Sequence, residues 1–160
     1  MTFEEFVVEE LEKPGMSMLL ACIDYRYPRR IVDAMQRLTP GKVYDQFILA
    51  GASLGACRPD WQKVLIEHIE AALALGHDIR RIVILDHRDC GAYRVPHKLQ
   101  IPPDILKEGL KENILPSEEL EAHQGVLSKL IPMLRQHPRI ARMEFRALLL
   151  TREQDDELKA

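Results

Sequence analysis

The order of apolar and polar positions along the chain predicts strands and helices in alternation. Continuous apolar runs of strand length, typical of buried parallel strands, occur four times. Between them, apolar residues recur every three or four positions, which predicts amphipathic helices. The four runs are MSMLLACID (16–24), YDQFILAGA (44–52), IRRIVILDH (79–87) and MEFRALLLT (143–151). The helices are predicted over 3–11, from Pro28 to Leu38, over 59–75 and over about 120–134.

This alternation predicts an α/β fold, with a mainly parallel twisted sheet and helices on both faces. The 160 residues contain no internal repeat and no linker of low complexity, so we expect one domain over 1–160. Within it we expect a helical N-terminal arm over 1–15 and a frayed tail over 152–160. In folds of this kind the functional crevice lies beyond the carboxyl ends of the strands.

Charge and hydropathy exclude several classes of function. A formal net charge of −3 with scattered basic residues gives no electrostatic footprint for nucleic acid. No apolar run approaches the ~20 residues that span a bilayer, so no membrane partner is expected. The first residues, MTFEEF, carry acids where a signal peptide carries positive charge, which favours a cytoplasmic location. Three cysteines, an odd number, favour free thiols or metal ligands over a disulfide framework.

Two groups of metal-competent side chains follow predicted strands. Cys22 ends the first apolar run, and His87 and Cys90 lie at and just beyond the end of the third. Because adjacent strands lie only ~5 Å apart, the groups meet if these two strands are neighbours. Zinc prefers four ligands of cysteine sulfur, histidine nitrogen or carboxylate oxygen, so three residues leave one position for water or a carboxylate. The alternative is that both cysteines are simply buried thiols.

The segment CIDYR adds a carboxylate and a guanidinium to this edge. Side chains two apart on an extended strand point the same way, so Cys22, Asp24 and Arg26 line one side of the crevice. Arg26 can hold Asp24 by a bidentate bond, or Asp24 can turn onto the metal as a fourth ligand in a closed state. Asp86 and Asp89 bracket His87 and are expected in solvent or in loop hydrogen bonds, although one of them could orient its second nitrogen.

Together, CIDYR and HRDCG resemble the signature of the β-class carbonic anhydrases, whose zinc is held by two cysteines and one histidine. The similarity runs in order from Met16 to about Tyr93 and more loosely to the last strand. The resemblance implies a zinc enzyme that interconverts carbon dioxide and bicarbonate, a lyase with an α/β fold. It also implies a homodimer or higher homo-oligomer, whose N-terminal helix over 3–11 would reach over a neighbouring subunit.

Roles carry over by matching positions to the family's motifs. The zinc ligands would be Cys22, His87 and Cys90, with Asp24 and Arg26 as the catalytic dyad beside the metal. Gly91, directly after the second cysteine ligand, would bring backbone close to the substrate pocket. The other histidines, His123 among them, match no ligand position and are expected on the surface or in capping roles.

The second strand departs from the family's pattern. It reads FILAGAS, so Ile48 and Leu49 stand where the family usually has an Arg-Asn pair. The altered wall leaves open a related zinc hydrolase of another small heterocumulene, such as carbonyl sulfide or carbon disulfide. A non-catalytic zinc-binding relative is a further alternative. A phosphate loop at GASLGA is disfavoured, because it lacks the third glycine of a dinucleotide fingerprint and the Gly-Lys-Ser/Thr of a Walker loop.

Overall fold

A computed structural model describes residues 3–7, 15–39 and 43–152. Its sheet has five strands in the spatial order β1-β5-β4-β2-β3. The strands β2 to β5 pair in parallel, and β1 pairs antiparallel with β5. Their bounds are β1 Phe3–Val7, β2 Met16–Ala21, β3 Tyr44–Ile48, β4 Ile79–His87 and β5 Glu144–Leu150. The fold class predicted from the apolar runs is therefore confirmed.

Helices cover both faces of the sheet, as predicted. The bounds are α1 Pro28–Leu38, α2 Ser53–Ala56, α3 Pro59–Ala74, α4 Gly91–Arg94 and α5 Pro116–Arg135, with a 3₁₀ turn over Pro96–Leu99. Helix α1 packs on the face of β4 that carries Val83 and Leu85. The other four helices pack on the opposite face, which carries Ile82 and Ile84. Successive residues of β4 thus enter two separate cores, as the two-residue period of a strand requires.

Proline explains where three of these helices begin. Pro28, Pro59 and Pro116 each occupy the first helical position, where the missing N–H removes no intrahelical bond and the fixed φ suits the helix. Every helix in the described residues is too short or too polar to cross a lipid bilayer.

The N-terminal prediction is wrong in its secondary structure. Residues 3–7 form a strand, paired with β5 from Phe3 opposite Leu150 to Val7 opposite Ala147, where a helix was predicted over 3–11. Apolar residues at 3, 6, 7 and 11 fit a helical face, but hydrogen bonding to β5 at the edge of the sheet decides the backbone. The rest of the predicted arm, 8–14, and the tail from 153 lie outside the described residues.

Candidate metal centre

Three metal-competent side chains converge at the carboxyl edge of the sheet. Strands β2 and β4 are neighbours, in a register that sets Ala21 opposite Leu85. Cys22 directly follows β2, His87 is the last residue of β4, and Cys90 lies in the following turn at the N-terminus of α4. One donor atom from each lies within 4.8 Å of the other two, and all three residues are buried. This group could hold a metal ion.

The imidazole of His87 is oriented from one side only. Its Nδ1 lies 2.8 Å from the carbonyl oxygen of Arg88, which can only accept, so Nδ1 carries the proton. The ring stacks on Tyr27 at 4.2 Å between centroids, and the Tyr27 hydroxyl donates to the same carbonyl at 3.1 Å. Nε2 is buried and has no hydrogen-bond partner among the described residues. A buried nitrogen lone pair that faces two thiols is the donor arrangement that zinc prefers.

The two thiols are unequal. Their Sγ atoms lie 3.9 Å apart, and the backbone N–H of Gly51 donates to Cys22 Sγ at 3.4 Å. The Cys90 thiol, with help from His87 and the Gly51 amide and against the effect of burial, lowers the pKa of Cys22 to about 4. The pKa of Cys90 is raised, because the neighbouring Cys22 sulfur and burial both disfavour a second thiolate. A cation between the two sulfurs would offset the repulsion between two thiolates, since metal coordination stabilises both of them. The residues present fit zinc.

Gly51 belongs to this site, although the sequence analysis did not single it out. Its φ is +78°, which favours glycine, and a Cβ at this position would lie 2.9 Å from the Cβ of Ala92. Only glycine therefore lets this turn bring its N–H to Cys22. Its place near the end of the second apolar run, just after β3, was the available signal.

Asp24 and Arg26 form the bidentate pair that the sequence offered as one of two arrangements. Arg26 donates from Nε to Asp24 Oδ1 at 3.0 Å and from Nη2 to Oδ2 at 2.7 Å. These bonds lower the pKa of Asp24 to about 2 against the opposing effect of burial, so the carboxylate is ionised. Its Oδ2 lies 3.7 Å from His87 Nε2, which places the charge beside the three donors. Arg26 is held in turn by the side chain and carbonyl of Asp89.

A pocket of about 490 Å³ opens directly in front of these groups. Gly91 lies in its lining, and a Cβ there would meet no atom within 4 Å, so the pocket and not close packing surrounds this glycine. Of the FILAGAS segment, the lining includes Ala50 and Gly51, whereas Leu49 packs against the core. The lining combines charged side chains with apolar ones; the charged residues are Asp24, Arg26, Asp89 and Arg94, and the apolar ones include Ile23, Ala50, Ala92, Val95 and Leu99.

Two expectations about polar residues are wrong. Asp86 is not in solvent or in a loop bond; it is 2% exposed and accepts hydrogen bonds from Ser53, Tyr93 and His123. His123 is not on the surface, since it is fully buried on α5. Neither aspartate orients His87, because the backbone carbonyl of Arg88 does so.

Comparison with known proteins adds two relatives. One uncharacterized protein, from Rickettsia bellii, is 34% identical over 116 residues; another, from Rickettsia conorii, is 30% identical over 122 residues. The matches cover 71% and 74% of this chain and 63% of each relative, so the chain spans less than two thirds of their length. No family model matches the sequence.

Comparison with solved structures identifies the fold. The structure of the β-carbonic anhydrase CcaA aligns with a TM-score of 0.52 at 14% identity, over 89% of this chain and 78% of that one. At this identity the likeness establishes the fold and leaves the chemistry to the side chains. The chain therefore has a β-carbonic-anhydrase-like α/β fold, with a Cys-His-Cys group that could bind a metal at the carboxyl edge of its sheet.

Proposed function

We propose that this protein is a zinc-dependent carbonic anhydrase, which converts carbon dioxide and water into bicarbonate and a proton. One observation carries the proposal. The unpartnered Nε2 of His87 and the thiols of Cys22 and Cys90 converge within 4.8 Å, next to the ionised Asp24 and a pocket. A lone histidine or thiol would not suffice, because the chemistry needs a Lewis acid beside a carboxylate.

In this proposal zinc is held by Cys22, His87 and Cys90. When bound, zinc would supply the Lewis acidity that makes water a nucleophile near neutral pH. Three protein ligands leave one position for a small molecule, which is the pattern of catalytic rather than structural zinc sites. The Nδ1 bond from His87 to the Arg88 carbonyl fixes the tautomer that presents Nε2 to the cation.

Asp24 and Arg26 act on the substrates beside the metal. Asp24 is acceptor-only when ionised, so it can take a hydrogen bond from the attacking water or from the hydroxyl of bicarbonate and orient it. Arg26 fixes the carboxylate through two parallel bonds, which sets its direction as well as its charge. The proton released by hydration passes to solvent or buffer through the open pocket.

The apolar wall suits a substrate without charge. Carbon dioxide has no hydrogen to donate and no net charge, so Ala50, Ala92 and Val95 can surround it without leaving a polar group unsatisfied. Bicarbonate is an anion and gains nothing from these contacts, which favours its release. Carbonyl sulfide and carbon disulfide have the same linear shape, and the wall alone does not discriminate against them.

A homodimer as the functional unit forms part of the proposal. It rests on the resemblance of CIDYR and HRDCG to the β-class enzymes. Because β1 pairs with β5 of its own chain, the contact between subunits would not use residues 3–7 as a helix. Light scattering coupled to size exclusion should give twice the 18.4 kDa chain mass, and a single chain mass would overturn this part.

The test of function is stopped-flow hydration of carbon dioxide by protein whose zinc content has been measured. We expect activity in the zinc-loaded chain and its loss in Cys90→Ser. The matched control is Cys57→Ala, which alters the third cysteine, buried at 3% exposure and outside the site. Both variants lose one buried thiol, so only the site residue should abolish turnover.

Two outcomes contradict the proposal in different ways. A zinc-loaded chain that hydrolyses carbon disulfide but does not hydrate carbon dioxide would make it a related hydrolase. A chain that holds zinc tightly, turns over neither substrate and shows no exchangeable ligand on the metal would make it a zinc-binding protein without catalysis.

A further inference from the structure

A fully buried polar cluster lies directly behind the candidate metal centre. Its centre is the carboxylate of Asp86, which accepts from the Ser53 backbone N–H at 3.1 Å and the Ser53 hydroxyl at 2.5 Å. The Tyr93 hydroxyl donates to it at 3.1 Å and His123 Nδ1 lies 2.7 Å away. The ring of His123 also stacks on Tyr93 at 4.0 Å between centroids. We call these four residues the Asp86 cluster.

Three of the four residues in the Asp86 cluster come from segments next to the metal donors. Asp86 precedes His87 on β4, and Tyr93 lies on α4, which the donor Cys90 directly precedes. Ser53 begins α2, two residues after Gly51, whose N–H binds Cys22 Sγ. One carboxylate therefore joins the segments of His87 and Cys90 to the turn whose Gly51 amide binds Cys22, and His123 connects them to the long helix α5.

The arrangement is not that of a hydrolytic triad. Ser53 Oγ contacts Asp86 and Tyr93, while the His123 ring reaches Asp86 alone, so no base faces a serine nucleophile. The four side chains are buried and none of them lies in the pocket lining. The cluster therefore does not act on a substrate. Its remaining role is to position the neighbouring segments.

We propose that Asp86 is the positioning residue of the metal centre, holding the end of β4, the Cys90 turn and the Gly51 turn beside Cys22 at the separation that a single cation needs. The inference rests on the proposed metal site, not on turnover. A buried carboxylate with four donors cannot relax without leaving several donors unsatisfied, so the three segments are locked together. Outer partners of metal ligands typically change affinity by about 10- to 100-fold.

The test compares metal binding by the full chain with binding by Asp86→Asn and Tyr93→Phe. Asp86→Asn replaces an acceptor by an amide that also donates, whereas Tyr93→Phe removes one donor and keeps the ring. Competition with a chromophoric chelator gives the zinc Kd, and Co²⁺ in place of zinc reports the ligand geometry in its visible bands. We expect Kd to rise about 10- to 100-fold in Asp86→Asn and less in Tyr93→Phe, with shifted Co²⁺ bands in both.

The control variant is Leu134→Ala, which opens the core on α5, eleven residues after His123 (134 − 123), without touching the cluster. It should lower the melting temperature but leave the zinc Kd and the Co²⁺ bands unchanged. If Leu134→Ala weakens zinc binding as much as Asp86→Asn does, the effect is general destabilisation and the inference is overturned. Where Asp86→Asn does not fold, Tyr93→Phe and Ser53→Ala supply the comparison.

The outcomes separate this inference from the proposed function. Parent-like Kd and Co²⁺ bands in the cluster variants overturn the inference and leave the function standing. A parent that binds zinc but does not hydrate carbon dioxide, with weakened binding in the variants, supports the inference and overturns the function. A parent that binds neither cation overturns both.

Discussion

His87 and His123 are buried in nearly the same way, yet only one of them faces a site. Each ring is at most 2% exposed, and each stacks on a tyrosine, at 4.2 Å on Tyr27 and 4.0 Å on Tyr93. In each, Nδ1 has a close acceptor and Nε2 has no hydrogen-bond partner among the described residues. An orphaned buried nitrogen is therefore not by itself the sign of a ligand.

The difference lies in what surrounds each Nε2. That of His87 meets the thiols of Cys22 and Cys90, which themselves line the pocket. Around His123 the described residues form no such group of donors. The acceptor at Nδ1 also differs, since a neutral backbone carbonyl holds His87 whereas the carboxylate of Asp86 holds His123. Convergence of soft donors makes one histidine a candidate ligand, and a buried carboxylate makes the other a structural tie.

The largest expected effect comes from removing each imidazole in turn. In His87→Gln we expect zinc affinity to fall by more than about 100-fold, because losing a ligand exceeds the usual cost of losing an outer partner. His123→Gln should still bind one zinc per chain while losing about 1–3 kcal/mol of stability, since it disturbs a buried hydrogen bond. Calorimetric zinc titration and thermal melts measure both. Equal loss of zinc in the two variants would erase the distinction.

Arg26→Lys tests the surroundings of His87 alone, because Arg26 lines the pocket and does not contact the Asp86 cluster. Lysine keeps the positive charge but lacks the planar fork that holds both oxygens of Asp24. We expect hydration to fall about 10- to 100-fold through misplacement of the carboxylate, with zinc content unchanged. The matched control is Arg58→Lys, which breaks a similar fork to Asp60 on the surface and should leave turnover as it is. Unchanged turnover in Arg26→Lys would remove Asp24 and Arg26 from the mechanism.

Glycine-to-alanine substitutions should have opposite effects on stability at Gly51, beside the metal donors, and at Gly125, near His123. Gly51→Ala places a Cβ at φ +78° and 2.9 Å from Ala92, so we expect a loss of about 1–3 kcal/mol and weaker zinc binding. Gly125 lies on α5, two residues after His123, and a Cβ there meets no atom within 4 Å. Gly125→Ala should stabilise the chain by about 0.5–1 kcal/mol, through helix propensity. Denaturant unfolding measures both, and a neutral Gly51→Ala would contradict the steric argument.

The smallest effect concerns thiol reactivity. Cys57 is buried near Asp86, and burial raises its pKa to about 12, which leaves about one thiolate in 10,000 at pH 8. Cys22 and Cys90 line the pocket instead. Iodoacetamide at pH 8 should therefore modify Cys22 first in the metal-free chain, because its pKa is lowered whereas that of Cys90 is raised, neither of them quickly in the zinc-loaded chain, and Cys57 only after unfolding. Peptide mass mapping locates the label, and early labelling of Cys57 would show that its burial is not maintained.

Local patterns were sufficient for most of the fold. Four apolar runs and the helical periodicity between them place β2 to β5, α1 and α3 close to their observed bounds, whereas α5 begins at Pro116, ahead of its predicted start near 120. The strand at Phe3–Val7 could not be predicted this way, because its partner β5 lies about 140 residues away along the chain. The short segment has the periodicity of a helix, and only tertiary pairing overrides it.

The sequence predicted the metal donors of the candidate site but not the buried polar residues that pack behind them. Cys22, His87 and Cys90 stand out because soft ligands follow two strands at matching ends. Asp86 and His123 gave no such signal, because 37 residues separate them (123 − 86) and an aspartate beside a turn usually faces solvent. Which buried polar groups satisfy each other is decided by packing between α2, α4 and α5.

Strand β4 gives this protein an unusual sensitivity to insertions and deletions. Asp86 and His87 are consecutive, so the alternation of the strand sends one side chain to the closed cluster and the other toward the metal donors. A gain or loss of one residue within 79–85 would exchange them, bringing a carboxylate to the thiols and an imidazole to Ser53 and Tyr93. During evolution this segment should therefore change by replacement at constant length.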